Sequence, residues 1–417
     1  MLYARSLPLF KGSIYIHHIL FSTMRMKKLA DEIYYVGVND RHTNLFENML
    51  PLPYGVSYNS YLIVDEKTAL IDTVEISYSE IFIEKIKTVL QGRTLDYLVV
   101  NHMEPDHSGS IKQIKRIFPN VQIVGNAKTF GMIEGYYGIT DNLHEVKEKE
   151  KLSLGKHVLE FIMTPMVHWP ETMMTFDLTT GTLFSGDAFG SFRALDGGVL
   201  DSELNVGDFW EEMRRYYSNI VGKYGSPVQK AIHKFANVQI NMICSTHGPV
   251  WKENIAQVVS MYDRMSRYEG ENGVVIAYGS MYGNTEQMAE VLANYLSDYG
   301  VKNIVVHNLS RSNASFVISD IFKYKGLIIG SPTYSNELYP EVASLLMKID
   351  TRDIKDRVYG YFGSFTWAGA AVKKLHAFGE KMDWDVCSTA VEEKQALKPE
   401  RFTELEQLAK EMAEKLG

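Results

Sequence analysis

Seven potential metal ligands stand directly after apolar runs that have the pattern of β-strands. The first four fall within six positions, in the segment Asn-His-Met-Glu-Pro-Asp-His-Ser-Gly that follows the run Tyr-Leu-Val-Val. The full set is His102, Glu104, Asp106, His107, His168, Asp187 and His247. Because the ends of neighbouring strands present their side chains to a common cleft, we expect these residues to converge. Four imidazoles and three carboxylates are too many for one metal ion and suit two.

The mixture of ligand types narrows the chemistry of this site. Imidazole together with carboxylate suits iron, manganese or zinc. Three carboxylates and one bridging hydroxide would balance the roughly four positive charges of two divalent irons, so the reduced pair could be buried without net charge. One histidine at a strand end is more often a surface or capping residue, but seven ligands at successive strand ends favour a metal site. His42 is the one further histidine that we consider, as a hydrogen-bonding neighbour of a ligand.

Three other loops have the composition of a site for a phosphate and a flat ring. The segment Gly-Ser-Met-Tyr-Gly-Asn-Thr, residues 279–285, opens a predicted helix, where hydroxyls and free N–H groups form an anion cradle. It has no Lys or Arg and lacks both the Gly-Lys-Ser/Thr ending of a nucleotide triphosphate loop and the GxGxxG pattern. A monophosphate held by neutral donors is therefore the expected ligand.

The second and third loops follow later strands, at the sheet edge where ligands bind in folds of this kind. They are Ser-Pro-Thr-Tyr-Ser-Asn, residues 331–336, and Ser-Phe-Thr-Trp-Ala-Gly, residues 364–369. Trp367, between small residues, is well placed to stack on an aromatic ring. The alternative for this tryptophan is simple packing in the core.

The elements that position these residues fall into two parts. Between residues 27 and 250, short β-rich runs interleave with a few helices, which is typical of an α/β domain. The predicted strands are 32–38, 60–64, 69–72, 97–100, 121–124, 158–164, 173–177, 182–185 and 243–246, and the predicted helices are 78–91, 111–118 and 208–220. The runs at 60–64 and 69–72 have the pattern of a hairpin.

A helix at 254–267 leads to the polar, glycine-bearing segment 269–273, which we predict as the domain boundary. A regular βαβ rhythm follows and specifies a doubly wound parallel sheet. Its predicted strands are 273–277, 304–308, 326–330, 357–362 and 384–390, and its predicted helices are 285–299, 313–324, 341–348, 369–381 and 399–416.

Composition excludes several classes of protein. The 417 residues predict two or three domains, with 45% hydrophobic and 23% charged residues, as in a globular protein with a real core. A net charge of -8 argues against a nucleic-acid partner. Two cysteines, Cys244 and Cys387, cannot form a disulfide framework, a cysteine-ligated zinc or iron–sulfur site, or a built-in rubredoxin. We therefore expect a cytoplasmic protein, and no apolar run has the length of a membrane span.

Residues 1–25 have a basic start and an apolar run that His17 and His18 interrupt. No small-residue cleavage site follows, so we favour a disordered extension or a misassigned start over a secretory signal.

Together these motifs resemble a known family. The pattern His-x-Glu-x-Asp-His, followed by His, Asp and His at long spacing, resembles the metal frame of the metallo-β-lactamase fold. Hydrolases of that fold normally have His where this chain has Glu104. That difference, with the second half similar to flavodoxins, is typical of flavodiiron proteins, over residues 26–417. A carboxylate at this position adds negative charge, which stabilises ferric iron and favours redox chemistry over hydrolysis.

The resemblance implies a fold, cofactors and site residues. The fold would be α/β, a metallo-β-lactamase-like αββα sandwich at 26–268 followed by a flavodoxin-like doubly wound parallel sheet at 272–417. His102, Glu104 and His168 would hold one iron, Asp106, His107 and His247 the other, and Asp187 would bridge them. The residues implied for FMN are Ser280, Met281, Tyr282, Gly283, Asn284, Thr285, Pro332, Thr333, Tyr334, Ser335, Asn336, Ser364, Phe365, Thr366, Trp367, Ala368 and Gly369.

The implied activity is electron transfer from FMN to the di-iron site, which reduces O2 to water, NO to N2O, or both. The resemblance also implies a head-to-tail homodimer or a dimer of dimers. Since no CxxC segment is present, electrons should come from a separate donor such as rubredoxin. Two alternatives stay open: a hydrolase of the metallo-β-lactamase fold with an accessory flavodoxin domain, and a flavodoxin-type electron carrier whose first half is only structural.

Overall fold

The computed structural model describes residues 26–417, so the prediction for residues 1–25 lies outside the described residues. Two compact units are present. The first contains the described residues up to Asn39, with Tyr58–Ile162 and Met173–Gly186. The second contains Asp40–Ser57, Met163–Thr172 and Asp187–Gly417. The domain limits 26–268 and 272–417 stay a prediction. Within residues 26–417, no helix combines the length and the apolar character that crossing a bilayer requires.

The chain up to residue 268 is built from short strands and helices. The strands are β1 (Lys27–Ala30), β2 (Ile33–Tyr35), β3 (Val38–Asp40), β4 (Leu45–Phe46), β5 (Leu50–Pro51), β6 (Val56–Tyr58), β7 (Tyr61–Val64), β8 (Thr68–Ile71), β9 (Tyr97–Val99), β10 (Gln122–Gly125), β11 (Leu143–Glu145), β12 (Lys151–Ser153), β13 (Val158–Met163), β14 (Met173–Asp177), β15 (Thr182–Gly186) and β16 (Met242–Ser245). The helices are α1 (Ser79–Leu90), α2 (Pro105–Ser108), α3 (Ile111–Ile117), α4 (Ala127–Tyr137), α5 (Gly207–Tyr216), α6 (Gly225–Lys234) and α7 (Ile255–Ser266).

Two sheets form the centre of the first unit. One has the order β1-β2-β7-β8-β9-β10-β11, antiparallel as far as β8 and parallel from there on. The second contains β12-β13-β14-β15 in sequence. The sheets pack together through buried side chains: the rings of Tyr61 and Phe184 lie 5.4 Å apart, and Thr175 donates a hydrogen bond to the side-chain oxygen of Asn101 at 2.7 Å. The predicted hairpin of β7 and β8 is confirmed, with Tyr61 opposite Ile71.

The predicted strand 32–38 is wrong as a single element. It is divided into β2 and β3 at Gly37, where a side chain would lie 2.6 Å from the carbonyl oxygen of Tyr58. The carbonyl of Gly37 accepts a hydrogen bond at 2.5 Å from the ammonium group of Lys85 on α1. A helix side chain therefore satisfies the backbone at this interruption.

Burial of Lys85 predicts a pH-dependent stability. Burial lowers the pKa of Lys85 to about 8 from its ordinary value of 10.5. Above pH 8 the folded chain releases this proton while the unfolded chain keeps it, so the free energy of unfolding rises with pH until about 10.5. We expect Lys85→Met to remove a rise of about 2 kcal/mol between pH 7 and pH 10.

Urea unfolding of wild type and Lys85→Met across this range measures the difference. Lys87→Met, an exposed position on the same helix, is the matched control and should keep the wild-type slope. Parallel curves for wild type and Lys85→Met would contradict the prediction.

A parallel sheet dominates the chain after residue 270. Its strands are β17 (Glu271–Tyr278), β18 (Ile304–Asn308), β19 (Tyr324–Tyr334), β20 (Glu337–Leu338), β21 (Val358–Phe365), β22 (Asp385–Val386) and β23 (Val391–Lys394). The helices are α8 (Asn284–Asp298), α9 (Ala314–Lys323), α10 (Pro340–Thr351), α11 (Ala371–Lys381) and α12 (Phe402–Leu416). The order is β18-β17-β19-β21-β22, with β23 also beside β21 and β20 antiparallel to β19.

This strand order places the loops after β17, β19 and β21 at one edge of the sheet. Helices α8 and α12 bury apolar side chains against it, including Leu292, Leu408 and Met412. The chain reverses direction across the sheet at β17, and ligands of such sheets bind at this switch point. All three predicted phosphate and ring loops lie at the carboxyl ends of these strands.

Candidate metal centre and flavin site

The segment 101–109 curls tightly at the end of β9, which brings four potential ligands together. Pro105 begins the one-turn helix α2, where a proline costs no hydrogen bond, and the carbonyl of Glu104 accepts from the backbone of His107 at 3.1 Å. His102 Nε2 lies 3.6 Å from a carboxylate oxygen of Glu104, and His107 Nε2 lies 3.6 Å from Asp106 Oδ1. His102, Glu104 and His107 are buried and Asp106 is half-buried.

Asp187, after β15, lies between two of the remaining histidines. Its Oδ2 is 3.2 Å from His168 Nε2, and its Oδ1 is 3.5 Å from His247 Nε2. Thr246 donates a hydrogen bond to the same Oδ1. A carboxylate with each oxygen directed to a different imidazole has the geometry of a bridging ligand.

The second ring nitrogen of His247 is held by the backbone. His247 Nδ1 donates to the carbonyl oxygen of Ser57 at 2.8 Å, so in the neutral imidazole Nε2 carries the lone pair that can bind a metal. The rings of Phe46 and Tyr216 lie 5.7 and 5.3 Å from the imidazole and form an apolar wall beside it. The orientation of this imidazole is therefore fixed by packing and by one hydrogen bond.

The potential ligand atoms form two groups. Within each group the atoms lie within 4.8 Å of one another. The first group is His102, Glu104, His168 and Asp187, and the second is Asp106, His107 and His247. This division matches the one implied for two irons, with Asp187 also near His247. Mixed oxygen and nitrogen donors at these separations fit a pair of divalent iron ions. A third group, Glu32, Asp65 and His157, stands apart from the predicted ligands.

The structure does not bring His42 to either group. Its side chain is exposed, and its backbone N–H donates to the carboxylate of Asp40 at 2.8 Å. Asp40 also accepts from the backbone and hydroxyl of Thr43, so it organises this turn itself. The local Asp-x-x-Thr geometry leaves His42 exposed, and its role beside a ligand stays a prediction.

A buried group of hydrogen-bonded side chains lies beside His102, and the sequence motifs did not predict it. The backbone and side-chain N–H groups of Asn101 donate to the two oxygens of Asp72 at 2.7 and 2.9 Å, and Thr175 donates to the Asn101 oxygen. Burial raises the pKa of Asp72, although Asn101 and the nearby His107 oppose that shift. Asp72 and Asn101 each follow an apolar run on neighbouring parallel strands, and this coincidence could have revealed the pair.

Side-chain hydrogen bonds join the three predicted flavin loops. Ser280 Oγ accepts from the backbone of Gly283 at 3.1 Å, and Gly283, with φ of 91°, is the N-cap residue directly before helix α8. Thr285 of the first loop lies 2.9 Å from Ser364 of the third, hydroxyl to hydroxyl. Thr333 of the second loop accepts from the backbone of Ala370, directly after the third. The hydroxyl-rich N-terminus of α8 is thus set beside the other two loops and fits a phosphate group.

Exposed aromatic rings surround this edge of the sheet. Tyr282, Trp367 and Tyr334 are 89%, 87% and 46% exposed. Core packing for Trp367 is therefore wrong, and its ring is available to stack on a flat ligand. Ser335 and Asn336 both have positive φ and form the two-residue turn between β19 and β20. The neutral cradle and the open aromatic rim together fit FMN.

Removing the Trp367 ring tests this arrangement. We expect Trp367→Ala to weaken FMN binding by about tenfold, because one lost stacking contact costs about 1 kcal/mol or slightly more. Quenching of FMN fluorescence on titration with apoprotein gives the dissociation constant. Tyr136→Ala, which removes an exposed ring on α4, should bind FMN as wild type does. Equal affinities for Trp367→Ala and wild type would contradict stacking.

Comparison with known proteins matches both parts of the chain. Residues 56–248 match the ODP family beta lactamase model, and residues 276–405 match the flavodoxin model. An anaerobic nitric oxide reductase flavorubredoxin of Vibrio vulnificus is 33% identical over 355 residues, covering 84% of this chain and 72% of the relative. A nitric oxide reductase of Moorella thermoacetica is 34% identical, covering 83% of this chain and 88% of the relative.

Solved structures agree with these matches. The rubredoxin oxygen:oxidoreductase of Desulfovibrio gigas superposes with a TM-score of 0.90 at 31% identity, over 94% of this chain and 98% of the other. The predicted fold class, a β-lactamase-like part followed by a flavodoxin-like parallel sheet, is confirmed, as are the oxidoreductase class and the FMN and di-iron cofactors. The flavodiiron protein of Giardia intestinalis superposes with a TM-score of 0.90 at 27% identity, over 94% of this chain and 97% of the other. The chain therefore belongs to the flavodiiron protein family.

Proposed function

We propose that this chain accepts electrons from an external donor, rubredoxin or a protein like it, and reduces O2 to water or NO to N2O. The arrangement around Asp187 carries this proposal, because a carboxylate between two imidazoles suits a bridged metal pair. Relatives named for nitric oxide reduction and for oxygen reduction both match the chain, which supports both substrates.

We assign each ligand a role by its place in the two groups. His102, Glu104 and His168 would hold one iron, and the remaining ligands would hold the other: Asp106, His107 and His247. Asp187 would connect them. Bound FMN supplies one- and two-electron transfer, and the iron pair supplies the binding and reduction of the substrate. The carboxylate of Glu104 in a group of otherwise ordinary lactamase-type ligands supports redox chemistry over hydrolysis.

The surrounding residues orient these ligands and keep water away. The Ser57 carbonyl fixes the tautomer of His247, and Phe46 and Tyr216 cover its ring. The Asp72–Asn101 pair holds the strand end from which His102 projects. An apolar wall beside a buried ligand favours entry of small uncharged molecules such as O2 and NO over charged ones.

Metal and flavin analysis is the experiment that tests the proposal. Elemental analysis and the spectrum of the released chromophore should show an iron pair and FMN, and the protein should oxidise reduced rubredoxin when O2 or NO is added. Zinc without flavin would overturn it in favour of a metallo-β-lactamase-fold hydrolase. FMN without metal would favour a simple electron carrier.

We also propose a head-to-tail homodimer in the cytoplasm. Exposed rings at the flavin loops, Tyr282 and Trp367, and exposed apolar side chains at Leu45, Met49 and Tyr54 offer surfaces for a second copy. Free buried thiols at Cys244 and Cys387 suit a reducing compartment.

Sedimentation tests the dimer directly. A complementation assay tests its arrangement: a variant that lacks iron is mixed with one that lacks FMN. Recovered activity supports cofactors that meet across two chains, and an active monomer would refute the dimer.

A further inference from the structure

Glu392 lies against both ends of the third flavin loop. It belongs to β23, which runs parallel to β21 and places Glu392 opposite Gly363, the residue before the loop 364–369. At the other end of the loop, a side chain on Gly369 would lie 2.6 Å from Glu392 Oε1 and 2.8 Å from Oε2. The carboxylate therefore occupies the space that a larger residue at 369 would need.

One oxygen of this carboxylate lacks a partner among residues 26–417. Glu392 Oε1 is closed off from solvent and has no hydrogen bond. Its neighbour Glu393 is buried, and Glu393 Oε1 lies 2.5 Å from the ammonium group of Lys398, while Glu393 Oε2 is like Glu392 Oε1 in having no hydrogen bond among these residues. A buried carboxylate oxygen without a donor is unfavourable, since it loses its hydration without replacement. The loop that this oxygen contacts is one of those that fit FMN.

We propose that Glu392 is a positioning residue of the flavin site and sets the reduction potential of FMN. In the holoprotein its Oε1 accepts a hydrogen bond from an N–H group that FMN binding brings to it. Its negative charge then disfavours the negative charge that FMN gains on reduction, and so lowers the reduction potential. This inference rests on the flavin site proposed above.

Glu392→Gln keeps the shape and removes the charge. Binding of oxidised FMN should change by less than about twofold, whereas the reduced form should bind about three- to tenfold more tightly. A tenfold change in the affinity of the reduced form relative to the oxidised form corresponds to about 59 mV for a one-electron step. The reduction potential of bound FMN should therefore rise by about 28 to 59 mV. Fluorescence titration gives the oxidised-state affinity, and spectroscopic redox titration of the holoprotein gives the potential. Glu404→Gln, at a half-buried position on α12, is the matched control and should leave the affinity and the potential unchanged.

Gly369→Ala provides a second, independent approach. The flexible carboxylate can move away from the new methyl group, so this variant should fold and should shift the potential in the same direction as Glu392→Gln. In the double variant, Gly369→Ala should add little to the shift in potential that Glu392→Gln causes. The carboxylate charge that the alanine would displace is already absent there.

Three results would count against the proposed role of Glu392 or its premises. The proposal is overturned if FMN bound to Glu392→Gln has the wild-type reduction potential. It is also overturned if Glu392→Gln changes that potential no more than Glu404→Gln does. Fully additive effects of the two substitutions would overturn the contact between them. If wild type binds no FMN, the flavin site itself is wrong, and that failure is distinct from an unchanged potential in a flavin-loaded variant.

Discussion

Asp187→Asn should lose most of its bound iron and at least about 100-fold in the rate of O2 or NO reduction, while its FMN content stays at the wild-type level. Asp187 offers one oxygen to His168 and the other to His247, so it is the residue best placed to join the two ligand groups. Asparagine keeps the size of the side chain, but it replaces one anionic oxygen with an N–H2 group that repels a cation. Both irons are affected because the proposed bridge serves both.

Iron and FMN per chain, measured on the same preparation, separate this effect from misfolding. FMN bound at wild-type stoichiometry shows that the flavin loops are intact. His42→Ala is the matched control, because His42 is exposed and belongs to neither ligand group, and its iron content and turnover should equal those of wild type. An Asp187→Asn protein that retains the full iron pair would refute the bridging role.

The convergence of the seven candidate ligands could be predicted from the sequence, because suitable residue types stand at the ends of predicted strands. Each ligand follows a run of apolar residues, and the end of a strand is the one place where a buried sheet exposes side chains to a cleft. The segment around Glu104 adds a proline that begins a helical turn, which forces neighbouring side chains together. The flavin loops were predictable for a related reason, since consecutive parallel strands place their following loops on one edge.

Other features depend on contacts that no local pattern contains. Helices α4 and α6 were missed because glycines at 131, 135 and 225 lower helix propensity, and tertiary packing outweighs that cost. Asn126 compensates in part, since its side chain caps α4 through the backbone of Lys128 and Thr129. The interruption at Gly37 depends on Lys85, almost fifty positions away, and no periodicity reveals such a partner.

His42 and Glu392 show the same limit at the functional sites. His42 has the right residue type, but the turn at Asp40 leaves it exposed. Glu392 lies in a charged run that resembles an ordinary solvated strand, and only the pairing of β23 with β21 places it behind the flavin loop. Residue type and spacing therefore identify ligands that share a strand edge, whereas supporting residues require the strand pairing itself.

Glu104→His tests why a carboxylate occupies this position. We expect the reduction potential of the iron pair to rise by on the order of 100 mV, because one negative charge at about 4 Å contributes up to about 4 kcal/mol at an effective dielectric constant of 20. Glu104 is buried 3.6 Å from His102 and belongs to the first ligand group, so its charge acts with little screening by water. Turnover should fall about tenfold or more, since a higher potential leaves less driving force for reducing O2 or NO.

A redox titration followed by electron paramagnetic resonance measures the potential, and metal analysis shows whether the variant still binds iron or takes up zinc. Glu104→Asp is the matched control: it keeps the negative charge on a shorter side chain, so it should stay near the wild-type potential even if its iron binds more weakly. Glu104→Gln removes the charge without adding an imidazole and should raise the potential as Glu104→His does. If Glu104→His raises the reduction potential and Glu104→Gln does not, the type of ligand, and not its charge, sets the potential of the iron pair. If neither variant moves the potential while both retain iron, Glu104 does not adapt this metal frame to redox chemistry, and the distinction from the hydrolases must lie in residues outside the ligand set.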